Sequence, residues 1–315
     1  MSDLRQSKAI IDMLAGEGHF IWAEPDRTPD MAGREPLAEH HSGRIPNGDR
    51  TSENPFRSIV RPKDNEVLVW QVPLGRDEDA FRELFAHLSR EEKDRADRFR
   101  FARDRDRFVV ARGTLREIVG DCLNVEPQQV RFRVNEYGKP FIDSDDEALR
   151  FNVSHSRDLA LIAVTIGREI GVDIEFIDHQ LDAVSTARSV FSKSEIDELE
   201  SLTGTTRTNA FFRGWTRKEA YLKAIGMGFS AVSEDLPVSM FNESTGSMFE
   251  AQFGASTRMW SLISLAETAE FCSALAVEGT VESVSVTGRF EQRPTLLASV
   301  MMSRTQDRIV GRRIE

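Results

Sequence analysis

The chain is poor in cysteine, with only Cys122 and Cys272 among its 315 residues, and neither lies in a Cys-x-x-Cys or Cys/His spacing. That excludes a disulfide framework and a thiolate zinc site, so each reads as a small buried hydrophobe. No apolar run approaches the ~18 residues that a membrane-spanning helix needs. The opening MSDLRQSKAIIDMLAGEGHF mixes charges through its apolar residues and lacks the apolar core of a signal peptide. A cytoplasmic protein with no membrane partner is expected. Positive charge is not in excess, since 41 Lys and Arg against 52 Asp and Glu leave −11, which argues against a nucleic-acid partner. There is no Walker loop, zinc-protease motif, kinase set or Gly-x-Ser-x-Gly elbow.

What remains is ordinary for a folded chain: 40% hydrophobic and 30% charged residues, at a length that suggests about two domains. Six of the eleven prolines fall between Pro25 and Pro62, in a polar stretch without apolar periodicity that reads as a mobile extension. The pair His40-His41 within it could bind a metal or simply be solvated. Order is expected from the strand-like Val67–Val72. Phe81, Leu84, Phe85 and Leu88 then follow the spacing of one buried helix face. Ser89-Arg-Glu-Glu92 is a capping-box pattern, and a longer helix is predicted over Phe101–Val119. Val130–Val134 alternates, Glu136-Tyr-Gly-Lys-Pro140 is turn chemistry, and Leu149–Val153 and Leu159–Ile166 read as strands, the second apolar throughout and so central.

The same order then recurs. A strand at Ile170–Ile174 precedes a second capping box, Ser192-Lys-Ser-Glu195, and a long helix at about 208–225. Strands are predicted near Val238–Phe241, Met259–Leu265 and Phe271–Val277. The capping boxes lie 192 − 89 = 103 positions apart. This predicts two α+β halves facing each other as a pseudo-dimer. The division is residues 1–65 as a flexible extension, 66–167 and 168–279 as the two halves, and 280–315 as a tail. That tail carries six arginines and is expected to be a loosely packed helix or disordered.

Three stretches could carry chemistry. In Gly171-Val-Asp-Ile-Glu175 a strand would send Val172 and Ile174 into the core and Asp173 and Glu175 to the other face. Two carboxylates so placed can hold one hard cation such as Mg²⁺, although a plain amphipathic edge strand would look the same. In Trp215-Thr-Arg-Lys-Glu-Ala-Tyr-Leu-Lys223 the helical spacing puts Glu219 and Lys223 on one face, with Lys218 beside them. Trp215 and Leu222 share that side, so the face is expected to be packed, and a third carboxylate with a lysine one turn away would complete a metal and phosphate site. The following Ile225-Gly-Met-Gly-Phe-Ser230 would allow close backbone approach. Ser154 and His155 end a strand. Adjacent strand residues point to opposite faces, so a nucleophile–base pair is disfavoured, and His155 is either structural or a phosphate or backbone contact. Between Ser89 and Arg116, ten basic and six acidic residues make a locally positive stretch; most of these form a solvated face, but a few arginines could receive a phosphate.

Together, Glu136-Tyr-Gly-Lys-Pro140, Phe151-Asn-Val-Ser-His-Ser156, Gly171-Val-Asp-Ile-Glu175, Phe191-Ser192 and Trp215-Thr-Arg-Lys-Glu219…Lys223…Gly226 resemble the Sfp-type 4′-phosphopantetheinyl transferases, over roughly Val67 to Gly279. The resemblance implies an α+β pseudo-dimer with its site in the cleft between the halves. It also implies transfer of the phosphopantetheine arm of coenzyme A to a serine of an apo acyl or peptidyl carrier protein, releasing adenosine 3′,5′-bisphosphate. By similarity, Asp173, Glu175 and Glu219 would hold Mg²⁺, and Glu219 would serve as, or position, the base. Lys223 and Lys218 would offset charge on the phosphoryl group. His155, Arg107 and Arg95 would receive the 3′-phosphate, while Lys139 and Ser154 would line the nucleotide pocket. The enzyme would be a monomer with internal pseudo-two-fold symmetry. One departure is Glu92, where relatives often carry a lysine; the extension and tail have no counterpart. The alternative is a Mg²⁺-dependent nuclease or phosphodiesterase, against which the acidic charge and the Trp-x-x-Lys-Glu helix both argue.

Overall fold

The computed structural model describes residues 61–144, 148–226, 246–253 and 256–288. Strand β1 (Glu66–Pro73) leads into helices α1 (Glu78–His87), α2 (Arg90–Ala96) and α3 (Ala102–Leu123). After a short turn of helix come β2 (Phe132–Val134), β3 (Pro140–Ile142), β4 (Leu149–Ser156) and β5 (Leu159–Ile166). The second half runs β6 (Ile170–Phe176), α4 (Ala183–Ala187), α5 (Lys193–Ser201) and α6 (Gly204–Ile225). It closes with β7 (Gly246–Phe253), β8 (Ser256–Glu267), β9 (Phe271–Glu278) and β10 (Ser283–Gly288).

The repeat is real in three dimensions. One sheet has the order β10-β1-β5-β4 and the other β6-β9-β8-β7, so β1-β5-β4 corresponds to β6-β9-β8. Helices α3 and α6 each span 22 residues. Both capping boxes form, with the Ser89 and Ser192 side chains accepting from the backbone N–H of Glu92 and Glu195 and those carboxylates accepting in return. Each capping glutamate is also paired to the long helix of its own half. Arg112 and Arg116 bind Glu92, and Lys218 binds Glu195. Glu92 is thus an internal strut of the first half, pointing into the protein.

Strand alternation explains the layering. Trp70 and Val72 of β1, with Ile162 and Val164 of β5, pack under α1 and α3. The opposite faces, Val67, Val69, Leu161 and Ala163, meet Val172, Ile174, Leu275 and Val277 of the second sheet. Helix α6 covers the outer face of that sheet against Trp260, Leu262, Ala274 and Ala276. Strand β5 is covered on both faces, hence its apolar run. Both cysteines are buried, and burial pushes the Cys122 thiol up to about 12. No helix among the described residues is long and apolar enough to cross a membrane.

One expectation fails. Residues just past Gly279 form neither a loose helix nor a disordered tail: β10 pairs in parallel with β1 and extends the first half's sheet. Its alternating Ser-Val-Ser-Val pattern is short, and its partner lies at the far end of the fold in sequence. The predicted strand at Val238–Phe241, the extension through residue 60, the Met227–Ser230 part of the glycine segment and the end of the tail lie outside the described residues.

Candidate active site

The halves meet where β4 runs beside β6, with side chains replacing the missing backbone ladder. Asn152 Oδ1 accepts the N–H of Val172 at 2.9 Å, Ser154 Oγ that of Ile174 at 3.4 Å, and Ser156 Oγ that of Phe176 at 3.0 Å. Three polar side chains at period two therefore clip two strands in parallel register. All three are buried, and this zipper is what the motif Phe151-Asn-Val-Ser-His-Ser156 encodes. Sequence reading missed Asn152 and Ser156 as a pair of clips; polar residues at every second place in an otherwise apolar strand were the available signal.

Helix α6 lies directly on β6. A Cβ on Gly171 would meet the Ala220 carbonyl oxygen at 2.0 Å and the Ala224 nitrogen at 2.3 Å, so only glycine permits this approach. Gly171, Asp173 and Glu175 share the strand face that meets α6, while Val172 and Ile174 go into the core, as the alternation predicts. The face is not solvated, however. Asp173 is 1% and Glu219 5% exposed, because α6 and β4 close over them.

Within this buried seam Lys223 Nζ donates to Asp173 Oδ1 at 2.5 Å and to Ser154 Oγ at 2.8 Å. The Ser154 hydroxyl donates in turn to Asp173 Oδ1 at 2.9 Å. Glu175 accepts from Ser156 Oγ at 3.2 Å and from Trp215 Nε1 at 3.4 Å. Trp215 thereby orients a carboxylate as well as packing the helix. Burial, together with the charge on Asp173, pushes the Glu219 carboxyl up to about 8, and Glu175 is raised for the same reasons. Asp173 Oδ2 and Glu219 Oε1 are buried and have no hydrogen-bond partner. An all-carboxylate donor set with two such oxygens has the chemistry that a hard dication takes, although the three carboxylates do not all bring an oxygen within 4.8 Å of one another here.

The other expected residues fall into two groups. His155 is buried on the face of β4 opposite Ser154. Its imidazole is pushed down to about 3 by burial and by the charges of Lys223 and Arg107, so it is neutral at physiological pH. Arg107, at the start of α3, donates from Nε and Nη2 to Asp158 Oδ1 at 3.0 and 2.8 Å, and Arg95 lies over the Phe108 ring at 4.9 Å. Arg107 lies close enough to His155 for its charge to act on the imidazole.

Lys218 and Lys139, by contrast, are turned elsewhere. Lys218 Nζ donates to Glu195 Oε2 at 2.7 Å and to the Val190 carbonyl at 3.3 Å, away from Asp173; on a helix its neighbour Glu219 faces a different way. Lys139 Nζ donates to Glu169 Oε2 at 2.7 Å and to the Ala224 carbonyl at 2.6 Å. The Asn135 amide donates to the Gly226 carbonyl at 3.0 Å, so the Glu136–Pro140 turn fastens the first half to the C-terminus of α6. Beside it is a cavity of about 500 Å³ lined by Arg133, Lys139, Phe141, Arg150 and Phe253 among others, which Ser154 does not reach.

Comparison with known proteins agrees with this architecture. Residues 75–167 match the family model "4′-phosphopantetheinyl transferase, N-terminal" and residues 169–276 match that of the "4′-phosphopantetheinyl transferase superfamily". The chain is 38% identical over 217 residues to the 4′-phosphopantetheinyl transferase HetI of Nostoc sp., covering 68% of this chain and 89% of that protein. It is 30% identical over 230 residues to a phosphopantetheinyl transferase of Thraustochytrium sp., covering 69% and 80%. With 4′-phosphopantetheinyl transferase Sfp of Bacillus subtilis it shares 28% over 170 residues, covering 54% and 71%.

Proposed function

Because the chain belongs to the 4′-phosphopantetheinyl transferase superfamily, we propose that the seam between its halves is where it moves the phosphopantetheine arm of coenzyme A to a serine of an apo carrier protein, acyl or peptidyl. The serine oxygen forms a bond to the phosphorus that bears the pantetheine. The bond from that phosphorus to the bridging oxygen breaks, adenosine 3′,5′-bisphosphate leaves, and the serine gives up its proton.

The observation that carries this reading is the cluster of buried Asp173 and Glu219 with half-buried Glu175 and Lys223, in which two carboxylate oxygens lack partners. In this reading Asp173, Glu175 and Glu219 hold Mg²⁺, which when bound neutralises charge on the pyrophosphate. Lys223 leaves Asp173 for the phosphoryl oxygens, and Ser154, already bonded to both groups, guides the exchange. Glu219 takes the serine proton or positions the group that does. Trp215 and Ser156 fix Glu175. Such a site works by positioning and charge neutralisation, as phosphoryl transfer requires.

Arg107, His155 and Arg95 receive the 3′-phosphate, with His155 acting as a neutral N–H donor and Arg107 exchanging Asp158 for the phosphate. Lys139 bounds the nucleotide side through the turn it anchors. Lys218 acts through Glu195, as a positioning residue for α6. A monomer without a nucleic-acid partner fits the internal pseudo-symmetry and the −11 charge. The test is the release of adenosine 3′,5′-bisphosphate from coenzyme A. It should depend on both Mg²⁺ and an apo carrier with its serine intact. Release that continued with a serine-to-alanine carrier would indicate a phosphodiesterase instead.

A further inference from the structure

The first half holds a second group of ligand-type side chains that the transfer reaction leaves unused. Glu83 and His87 lie one turn apart on α1, and Glu117 lies on α3, which packs against α1. One ligand atom from each falls within 4.8 Å of the other two, and among the described residues no other trio of His, Cys, Asp or Glu does so. His87 Nδ1 is 3.4 Å from Glu117 Oε1, and this nitrogen is buried with no hydrogen-bond partner. Two ligands ~2.1 Å from one tetrahedral ion stand about 3.4 Å apart. The pair already has the separation that a shared ion would impose.

The place of Glu117 in the repeat strengthens the case. It is 117 − 102 = 15 residues past the start of α3, as Glu219 is 219 − 204 = 15 past the start of α6. The two halves thus present a carboxylate at the same helical position. In the second half it meets the carboxylates of β6, and in the first it meets the imidazole of α1.

We propose that Glu83, His87 and Glu117 form a second divalent-metal site, one that takes a borderline ion such as Zn²⁺ in preference to Mg²⁺ and clamps α1 to α3. The nitrogen ligand decides the selectivity: imidazole suits zinc and its neighbours, whereas an all-oxygen set suits magnesium. The protonation states agree. Burial lowers His87, leaving the neutral imidazole a metal needs. Burial and the charges of Glu83 and Asp121, opposed by Arg76, raise the Glu117 carboxyl to about 7.

The test uses the full-length protein, stripped with chelator and titrated calorimetrically with ZnCl₂ in excess MgCl₂. One Zn²⁺ per chain should bind and raise the melting temperature. His87→Gln should weaken binding by roughly tenfold or more, since losing even an outer partner of a ligand costs about that much. Glu83→Gln, at an exposed position where folding is not at risk, should do the same. Both variants should keep the wild-type transfer rate with Mg²⁺, and a His40→Ala/His41→Ala double variant should keep the zinc affinity. No zinc uptake, wild-type zinc affinity retained in both the His87 and Glu83 variants, or loss of binding with the His40/His41 variant would each overturn the site.

Discussion

Lys223 of α6 lies against Asp173 of β6, with its ammonium 2.5 Å from Oδ1, inside a seam where Asp173 is 1% exposed. This pair ties α6 to β6 within the second half, reaches the first half through Ser154, and keeps a cation on a carboxylate that the reaction needs for another purpose. Removing Lys223 leaves the buried Asp173 and Glu219, and the half-buried Glu175, without their countercharge. In Lys223→Met the melting temperature should drop, by an amount equivalent to ~3–5 kcal/mol in chelator, and should recover substantially when Mg²⁺ is added. An equally low melting temperature with and without Mg²⁺ would show that these carboxylates do not bind the ion.

The side-chain zipper makes a second prediction. Asn152→Ala strands the buried N–H of Val172, which should cost ~1–3 kcal/mol. Ser156→Ala strands that of Phe176 and also frees Glu175, so it should lower both stability and transfer rate. Asn152→Ala should affect mainly stability. Denaturant unfolding and initial rates on the same preparations separate the two; identical rate losses would mean that the zipper has no local effect on Glu175.

His155 gives a pH signature. Its folded pKa of about 3 lies below its ordinary value of 6.5, so burial of the neutral form contributes stability that is fully present above about pH 6.5. That contribution is lost as pH falls from 6.5 toward 3. His155→Gln should therefore flatten the acid side of the stability curve relative to wild type, read by urea unfolding between pH 4 and 7. Parallel curves would contradict the burial of a neutral imidazole.

Nucleotide recognition can be separated from chemistry at Arg107. Losing a charge-assisted hydrogen bond to the 3′-phosphate should cost ~1.5–3 kcal/mol, or about ten- to a hundredfold in apparent affinity. Arg107→Ala should raise the KM for coenzyme A and leave kcat nearly intact. Asp158→Asn should loosen the existing clasp on Arg107 and lower KM. With 3′-dephospho-coenzyme A as donor, Arg107→Ala and wild type should converge. The same loss with both donors would place Arg107 elsewhere in the reaction.

Much of this was legible in the sequence because the signals are local. Ser89-Glu92 and Ser192-Glu195 are capping boxes wherever they occur, and the alternation in Gly171–Glu175 alone places Asp173 and Glu175 on one face. The burial of that face was not legible, since it depends on α6 and β4 closing over it from distant parts of the chain. The same holds for β10, whose partner β1 opens the fold. Lys218 illustrates a different limit. Helical spacing puts it next to Glu219, but which neighbour receives its ammonium is decided by Glu195 of α5, and no spacing rule connects those two positions. The Asn152, Ser154 and Ser156 pattern was visible but ambiguous, because polar alternation usually marks a solvated face rather than a seam.

The most direct measurement is the intact mass of apo acyl and peptidyl carrier proteins after incubation with coenzyme A, Mg²⁺ and either the wild-type enzyme or Asp173→Asn. Wild type should add one phosphopantetheine to the serine of at least one carrier, with no gain in chelator. Asp173→Asn should be slower by about a hundredfold or more, in line with the loss of a group that stabilises developing charge. A carrier modified at the wild-type rate by Asp173→Asn would contradict the seam as the active site, and no mass gain on any carrier would contradict the account as a whole.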